Sequence, residues 1–211
     1  MSKNGTLFRG GAVFDGTALH SGHGLVLDNA GHVAALGPVA DLAAPEGAEI
    51  VELDGDILTP GYVDLQVNGG GGVLFNEDQS VAALRTIAQA HASLGATTIF
   101  PTLITDTSDH TGRAIDAVIA AIKAGVPGIG GLHLEGPHLS VARKGAHDPS
   151  LIRQMTPSDM DRLLQAAGHL PALKITVAPE TVTAAQVATL TGAGILVSLG
   201  HTDTDYDTAM A

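Results

Sequence analysis

The feature that most constrains the fold of this chain is a change in the hydrophobic pattern after Pro60, where short apolar runs begin to alternate with helical patterns. Such alternation is typical of βα units built around a parallel sheet. Five runs qualify as strands: Tyr62 to Val67, Ala96 to Leu103, Gly130 to Leu134, Leu173 to Ala178 and Ile195 to Gly200. The pattern therefore predicts an α/β fold with five parallel strands.

The segments between these strands carry helix signals. Residues at helical spacing form amphipathic stripes from Val81 to Leu94 and from Ala114 to Ile122. A third helix is predicted to begin at Thr156, which is followed by proline, and a fourth at Thr183, where Gln186 completes a capping box. Gly192 supplies a plausible stop for the fourth helix.

Five βα units can form an open doubly wound sheet or part of a (β/α)8 barrel of the TIM type, and spacing alone does not choose between them. The sequence contains neither a dinucleotide-binding glycine fingerprint nor a Gly-x-x-x-x-Gly-Lys-Ser/Thr phosphate loop. Their absence argues against a nucleotide-binding open sheet, so a partial barrel is favoured.

The residues before Pro60 form short β-rich runs separated by turn residues. These runs are Thr6 to Phe14, Gly24 to Asp28, His32 to Leu36 and Glu49 to Leu53. The Asn29-Ala30-Gly31 break suits a hairpin loop, so a small antiparallel unit is predicted, with too few strands to cover its own apolar face. We therefore divide the chain into a small β-rich subdomain, residues 1–58, and five barrel units, residues 59–211.

Charge and cysteine content exclude several classes of function. The 22 acidic residues outnumber the 10 basic ones, giving a formal net charge of −12 that would repel nucleic acid and anionic membrane surfaces. The chain has no cysteine, so any metal must be held by His, Asp or Glu. No apolar run approaches the ~18 residues of a membrane span, and the start lacks a signal-peptide core, so we expect a cytoplasmic protein.

Polar residues concentrate where the predicted strands end, which is the edge that carries the active site of parallel α/β folds. Gln66 and Asn68 follow strand one, Glu135 strand three, Glu180 strand four and His201 strand five. Carboxylate oxygen and neutral imidazole form a normal ligand set for zinc or a similar divalent ion. Glu135 and His201 are therefore the candidate metal ligands, and a third protein ligand would ordinarily accompany them.

Each candidate also has a structural interpretation. Glu135 could be a salt-bridged structural carboxylate, and His201 could be a satisfied core histidine. His147, on the loop after Glu135, could polarise a substrate carbonyl or hold a sugar hydroxyl, or it could be an ordinary surface histidine. His133 and His138 are lower-ranked alternatives close in sequence.

Five motifs in order resemble one family. They are Pro60-Gly-Tyr-Val-Asp-Leu-Gln-Val-Asn-Gly-Gly-Gly-Gly-Val73, His133-Leu-Glu-Gly-Pro137, Lys144-Gly-Ala-His-Asp-Pro149, Ala178-Pro-Glu180 and Gly200-His-Thr202. Together they are similar to the N-acetylglucosamine-6-phosphate deacetylase family of the amidohydrolase superfamily. The resemblance runs across nearly the whole chain.

The resemblance implies a (β/α)8 barrel with a small β-sandwich subdomain. It also implies hydrolysis of N-acetylglucosamine 6-phosphate, a small amino-sugar phosphate, to glucosamine 6-phosphate and acetate. Glu135 and His201 match metal ligands, Gly136 lies beside the acetamido pocket, and His147 matches a substrate-contacting catalytic histidine. Gln66 and Asn68 replace the His-x-His pair of two-metal relatives, so one divalent ion, expected to be zinc, is favoured. The family relation further suggests a homo-oligomer.

Two departures from the family pattern bear on activity. His138 stands where an aromatic residue is more usual, and the family's third ligand, catalytic aspartate and most phosphate contacts match no position up to Ala211. The chain is thus expected to be an amino-terminal portion that is inactive alone and at most binds metal. The alternatives are an amidohydrolase for another N-acyl compound and a non-catalytic metal-binding fragment.

Overall fold

The structure is a computed structural model that describes residues 4–210. The chain divides into two compact units, Met1–Gly61 and Tyr62–Ala211. No helix among the described residues is long and apolar enough to cross a membrane.

The first unit contains seven strands among its described residues. They are β1 Thr6–Arg9, β2 Ala12–Phe14, β3 Leu19–Ser21, β4 His23–Leu27, β5 Val33–Pro38, β6 Glu49–Glu52 and β7 Ile57–Leu58. One sheet has the order β5-β4-β1-β6 and the other β3-β2-β7. The predicted hairpin between β4 and β5 is confirmed, with Gly31 at a φ of +83° and the Asp28 carboxylate accepting from the backbone N–H groups of Ala30 and His32.

Two features of this unit differ from the prediction. The run from Thr6 to Phe14 is broken at Gly10 and Gly11, because Gly11 passes so close to the Asp56 carbonyl that a side chain would overlap it. The unit is also mixed rather than antiparallel, since β1 pairs in parallel with β6 and β2 with β7. Both parallel pairs join strands that are distant in sequence, which local turn signals do not reveal.

The second unit has the predicted alternation of strands and helices. Its strands are β8 Tyr62–Val67, β9 Gly69–Gly70, β10 Val73–Leu74, β11 Ala96–Ile104, β12 Leu132–Glu135, β13 Leu173–Val177 and β14 Leu196–Leu199. Its helices are α1 Val81–Ala92, α2 Ser108–Lys123, α3 Pro157–Ala167, α4 Ala184–Gly192 and α5 Tyr206–Met210. The five longer strands form one sheet in the order β14-β13-β12-β11-β8, and every neighbouring pair is parallel. The α/β class and the parallel sheet are therefore confirmed.

Local sequence signals explain the helix starts better than the helix ends. The Thr156 and Thr183 hydroxyls accept from the N–H groups of Asp159 and Gln186, and both form capping boxes. The predicted stripe of α1 is too long, because the helix ends at Ala92 and leaves Leu94 77% exposed. Gly192 is the last residue of α4 rather than its stop, and Gly194 takes the left-handed conformation at a φ of +80°.

The sheet of the second unit buries one polar layer just below its carboxyl edge. His133 is fully buried on β12, with Nδ1 3.2 Å from the Thr102 hydroxyl and Nε2 2.8 Å from the Thr176 hydroxyl. Burial, together with the positive charge of Lys174, lowers the pKa of His133 to about 4. Residues two apart on a strand share a face, so Glu135 stands directly above this neutral histidine.

Candidate metal centre

Three side chains of the second unit converge at the carboxyl ends of its parallel strands. Glu135 is the last residue of β12, His147 lies on the following loop, and His201 stands two residues after β14. One ligand atom from each lies within 4.8 Å of those of the other two, so the group could hold a metal ion. The Glu135 and His147 side chains are buried, while that of His201 is 27% exposed.

His201 is held in an unusual backbone conformation with one ring nitrogen already engaged. Its φ is +50°, in the left-handed region that few non-glycine residues adopt. Its Nδ1 lies 2.9 Å from the Arg143 carbonyl oxygen. Because a carbonyl oxygen can only accept, Nδ1 must carry a proton, and the neutral ring presents its lone pair at Nε2.

That lone pair faces Glu135 directly, since His201 Nε2 lies 3.0 Å from Glu135 Oε1. Two acceptors at this distance repel each other unless a proton or a metal cation lies between them. Carboxylate oxygen and imidazole nitrogen suit a divalent ion, and a backbone carbonyl on the other ring nitrogen is a usual partner of a metal-binding histidine. The donor set of Glu135 and His201 therefore fits a divalent metal.

The remaining oxygen of Glu135 has a different partner. Oε2 accepts a hydrogen bond from the Gln66 side-chain amide at 3.0 Å. The nearby imidazoles of His147, and then of His201, lower the pKa of Glu135 to about 2 against the opposing effect of burial. The carboxylate is thus anionic at neutral pH, with Oε1 directed at the two histidines.

His147 approaches the same oxygen beside His201. Its Nε2 lies 3.9 Å from Glu135 Oε1, and its ring meets that of His201 edge-on at 4.5 Å between centroids. Its Nδ1 lies 3.2 Å from the Thr105 backbone nitrogen and 2.8 Å from the Thr105 hydroxyl. Sequence reasoning missed Thr105, because a contact made largely by a backbone N–H has no signature in residue types.

An open cavity lies over these three side chains. Its other lining residues are Asn68, Leu74, Asn76, Ile104 and Ala146. Asn76 holds the end of β11, accepting from the Ile104 N–H and donating to the Ile104 carbonyl and to Asp106. The glycine run at 69–72 forms the β9–β10 hairpin, whose turn packs against Thr86 of α1, and is a close-packed turn.

The other candidates from the sequence lie outside the cluster. Gly136, at a φ of +89°, sits against the Thr105 hydroxyl rather than in the lining of this cavity. His138 is buried with Nδ1 3.0 Å from the Arg153 carbonyl. Glu180 accepts from the Thr202 hydroxyl and the Asp203 N–H, so it secures the loop after His201 without joining the three.

Comparison with known proteins gives a family match over most of the chain. Residues 57–211 match the Amidohydrolase family. The chain is 44% identical over 153 residues to N-acetylgalactosamine-6-phosphate deacetylase of Shewanella sp. (strain ANA-3), covering 72% of this chain and 38% of the relative. It is 35% identical over 186 residues to N-acetylglucosamine-6-phosphate deacetylase of Haemophilus influenzae, covering 88% of this chain and 48% of the relative.

Solved structures give the same relationship. N-acetylglucosamine-6-phosphate deacetylase from Pasteurella multocida superposes with a TM-score of 0.89 at 35% identity, covering 98% of this chain and 53% of that chain. The D267A mutant of the enzyme from Mycobacterium smegmatis, in complex with N-acetyl-D-glucosamine-6-phosphate, superposes with a TM-score of 0.79 at 33% identity, covering 97% of this chain and 52% of that one. The chain thus spans about half the length of these structures.

Proposed function

The chain belongs to the Amidohydrolase family, and from that premise we propose that it forms part of a metal-dependent deacetylase acting on N-acetylglucosamine 6-phosphate. The reaction cleaves the acetamido C–N bond with water and yields glucosamine 6-phosphate and acetate. The observation that carries the proposal is the facing pair of Glu135 Oε1 and His201 Nε2, two acceptors that a divalent metal ion can join.

We assign the metal as a single zinc ion held by Glu135 and His201. When bound, the ion supplies Lewis acidity that activates water and polarises the acetyl carbonyl. Gln66 donates to Glu135 Oε2 and so keeps Oε1 directed inward. An amide at this position, with Asn68 two residues later, supports one metal rather than two, because neither side chain is a strong zinc ligand.

His147 is assigned to the substrate, because it is a buried polar group that lines the cavity beside His201. A ring N–H there would hold a carbonyl or hydroxyl oxygen of the sugar. Gly136 is assigned to the acetamido pocket through Thr105, against which it packs behind the cavity. Proton transfer falls to the family's aspartate, which matches no position in this chain, so we predict that the 211 residues alone bind metal without turnover.

A second substrate has support of its own. The Shewanella relative is named for the galactose epimer, so N-acetylgalactosamine 6-phosphate is the alternative substrate. Both sugars carry the same acetamido and 6-phosphate groups, and a comparison of kcat/KM for the two epimers separates them. Hydrolysis of an N-acyl compound that lacks the phosphate would indicate a different amidohydrolase.

The proposal extends to architecture and setting. We assign the five parallel strands to the first part of a (β/α)8 barrel, with a domain boundary near residue 58 and a β-sandwich arrangement for the first unit. A homo-oligomeric assembly and a cytoplasmic location remain predictions. Sedimentation velocity and cell fractionation of the native polypeptide test these two.

Metal content of the purified 211-residue protein is the first test of the site. Elemental analysis should find close to one zinc per chain, lost in Glu135→Gln and in His201→Asn but kept in Glu46→Gln, a matched change at an exposed carboxylate in the first unit. A wild-type protein without metal after zinc loading would overturn the site assignment.

Turnover is tested on the native polypeptide that contains these residues, by acetate release from the two N-acetylhexosamine 6-phosphates and from free N-acetylglucosamine. Acetate from the first two only, abolished by Glu135→Gln, is the expected result. Metal binding with no acetate from any of them would contradict the deacetylase proposal. Acetate released by the 211 residues alone and lost in Glu135→Gln would contradict their predicted inactivity.

A further inference from the structure

We infer that Thr105 is a positioning residue that fixes the tautomer of His147, so that His147 serves as an N–H donor in the cavity and not as a third metal ligand. The role at substrate rests on the proposed function, whereas the tautomer does not. Thr105 directly follows β11 and is buried, with 6% of its surface exposed.

The tautomer follows from the chemistry of the two contacting atoms. The Thr105 backbone N–H points at His147 Nδ1 at 3.2 Å, and a backbone N–H can only donate. Nδ1 must therefore accept, which leaves the ring proton on Nε2. The Thr105 hydroxyl, 2.8 Å from the same Nδ1, donates to it as well and fixes the ring plane.

The opposite assignment holds for His201. Its Nδ1 faces a carbonyl oxygen, so its proton is on Nδ1 and its lone pair is on Nε2. Both rings therefore direct Nε2 toward Glu135 Oε1, but in different protonation states. Nε2 of His201 has a lone pair and lies at 3.0 Å, whereas Nε2 of His147 has a proton and lies at 3.9 Å. Only a nitrogen with a free lone pair can bind a metal. Of the three side chains that converge, Glu135 and His201 can therefore bind the metal, and His147 is a hydrogen-bond donor.

Gly136 makes this arrangement possible. A Cβ at position 136 would overlap the Thr105 hydroxyl oxygen, so only glycine lets that hydroxyl stand beside His147. The Thr105 hydroxyl lies 3.4 Å from the Glu135 carbonyl oxygen at the end of β12, but its single proton goes to the nearer His147 Nδ1. Both strand ends that frame the site therefore contribute to the orientation of one imidazole.

The tautomer is measured on the 211-residue protein labelled with ¹⁵N-histidine, using long-range ¹H–¹⁵N correlation spectra before and after zinc loading and His147→Asn to assign the signals. We expect protonated Nε2 and unprotonated Nδ1 for His147 in both states. We also expect His147→Asn to keep its zinc. A His147 ring protonated at Nδ1 with Nε2 bound to zinc, or loss of zinc in His147→Asn, would overturn the inference.

The positioning role is measured by Thr105→Val, which keeps the shape and removes the hydroxyl, and by Thr105→Ser, which restores it. In the valine variant the backbone N–H still holds the tautomer, but the Nδ1 signal of His147 should move downfield because Nδ1 loses one of its two donors, and it should return in the serine variant. Unchanged signals in the valine variant would show that the hydroxyl does not position the ring. This readout requires no turnover, so it stands even where the deacetylase proposal fails.

If the native polypeptide hydrolyses the substrate, its kcat should fall about 10- to 100-fold in Thr105→Val. This is the usual effect of removing a partner that orients an active-site histidine. KM should change little, because the donor acts mainly on the transition state. Equal falls in the valine and serine variants would indicate a packing role and contradict positioning by the hydroxyl.

Discussion

Gly136 and Thr105 are packed so closely that the glycine has no room for a Cβ beside the threonine hydroxyl. This contact joins the ends of β11 and β12 at the point where the candidate metal centre is built. It explains why a residue without chemistry of its own stands directly after Glu135.

We predict that Gly136→Ala destabilises the protein and disturbs the site. The added methyl would overlap Thr105, and the φ of +89° is strained for any residue with a side chain. A loss of about 1–3 kcal/mol in the free energy of unfolding is expected from backbone strain of this kind. Urea unfolding measures the loss, and the His147 nitrogen signals should shift in the same variant.

Gly112→Ala is the matched control for that change. Gly112 lies inside α2, and a Cβ added there would meet only the Arg162 guanidinium, at 3.7 Å. Alanine in a helix interior is favoured over glycine by about 0.5–1 kcal/mol, so this variant should be more stable than the wild type. Similar destabilisation by both alanines would contradict the steric explanation at Gly136.

Removal of the Gln66 amide is predicted to weaken metal binding. In Gln66→Ala the Oε2 oxygen of Glu135 loses its donor, and the carboxylate becomes free to rotate away from His201. A fall in zinc affinity of about 10- to 100-fold is typical for loss of such an orienting partner. Competition titration with a chelator measures it, and Gln89→Ala on the exposed face of α1 should leave the affinity unchanged.

Asp159 gives the second unit a stability that depends on pH. Burial raises its pKa, but hydrogen bonds from Arg153, at 2.7 Å for Nη2, and from Thr156 outweigh burial and hold the pKa well below its usual range. A carboxylate whose pKa is depressed by folding stabilises the protein above the unfolded pKa, near 4, and loses this effect as pH falls toward the folded pKa.

Asp159→Asn should therefore lower the free energy of unfolding at pH 7 by about 1–3 kcal/mol, the usual cost of losing charge-assisted hydrogen bonds. Urea unfolding from pH 7 down to pH 3 should show the difference from the wild type shrinking with acidity. A difference that is constant across this range would mean that the ionised carboxylate is not the source.

The polar layer below the site gives a further prediction. Thr176→Val leaves the buried Nε2 of His133 without its hydroxyl partner, and an unsatisfied buried polar atom costs about 1–3 kcal/mol. Thr176→Ser keeps the oxygen and should lose clearly less stability. Thermal and urea unfolding of the two variants should separate them, and equal losses would point to the shared change in packing instead.

The five parallel strands were predictable because the apolar runs and turn residues that define them are local. Each predicted strand matches the observed one to within two residues at both ends, for example Leu173 to Ala178 against the observed Leu173–Val177. The parallel pairs of the first unit were not predictable in the same way. They join β1 to β6 and β2 to β7 across long loops, where register depends on the whole packed unit.

The sequence by itself determined that Glu135 and His201 stand at the ends of parallel strands and that any metal must be held without thiolate. Only the tertiary structure decided which nitrogen of each histidine faces the shared carboxylate. The deciding partners are the Arg143 carbonyl and the Thr105 N–H, which are backbone groups that every residue except proline carries alike. Their effect depends on where the fold places them. The residue types alone therefore do not indicate that His201 is a metal ligand and His147 a hydrogen-bond donor.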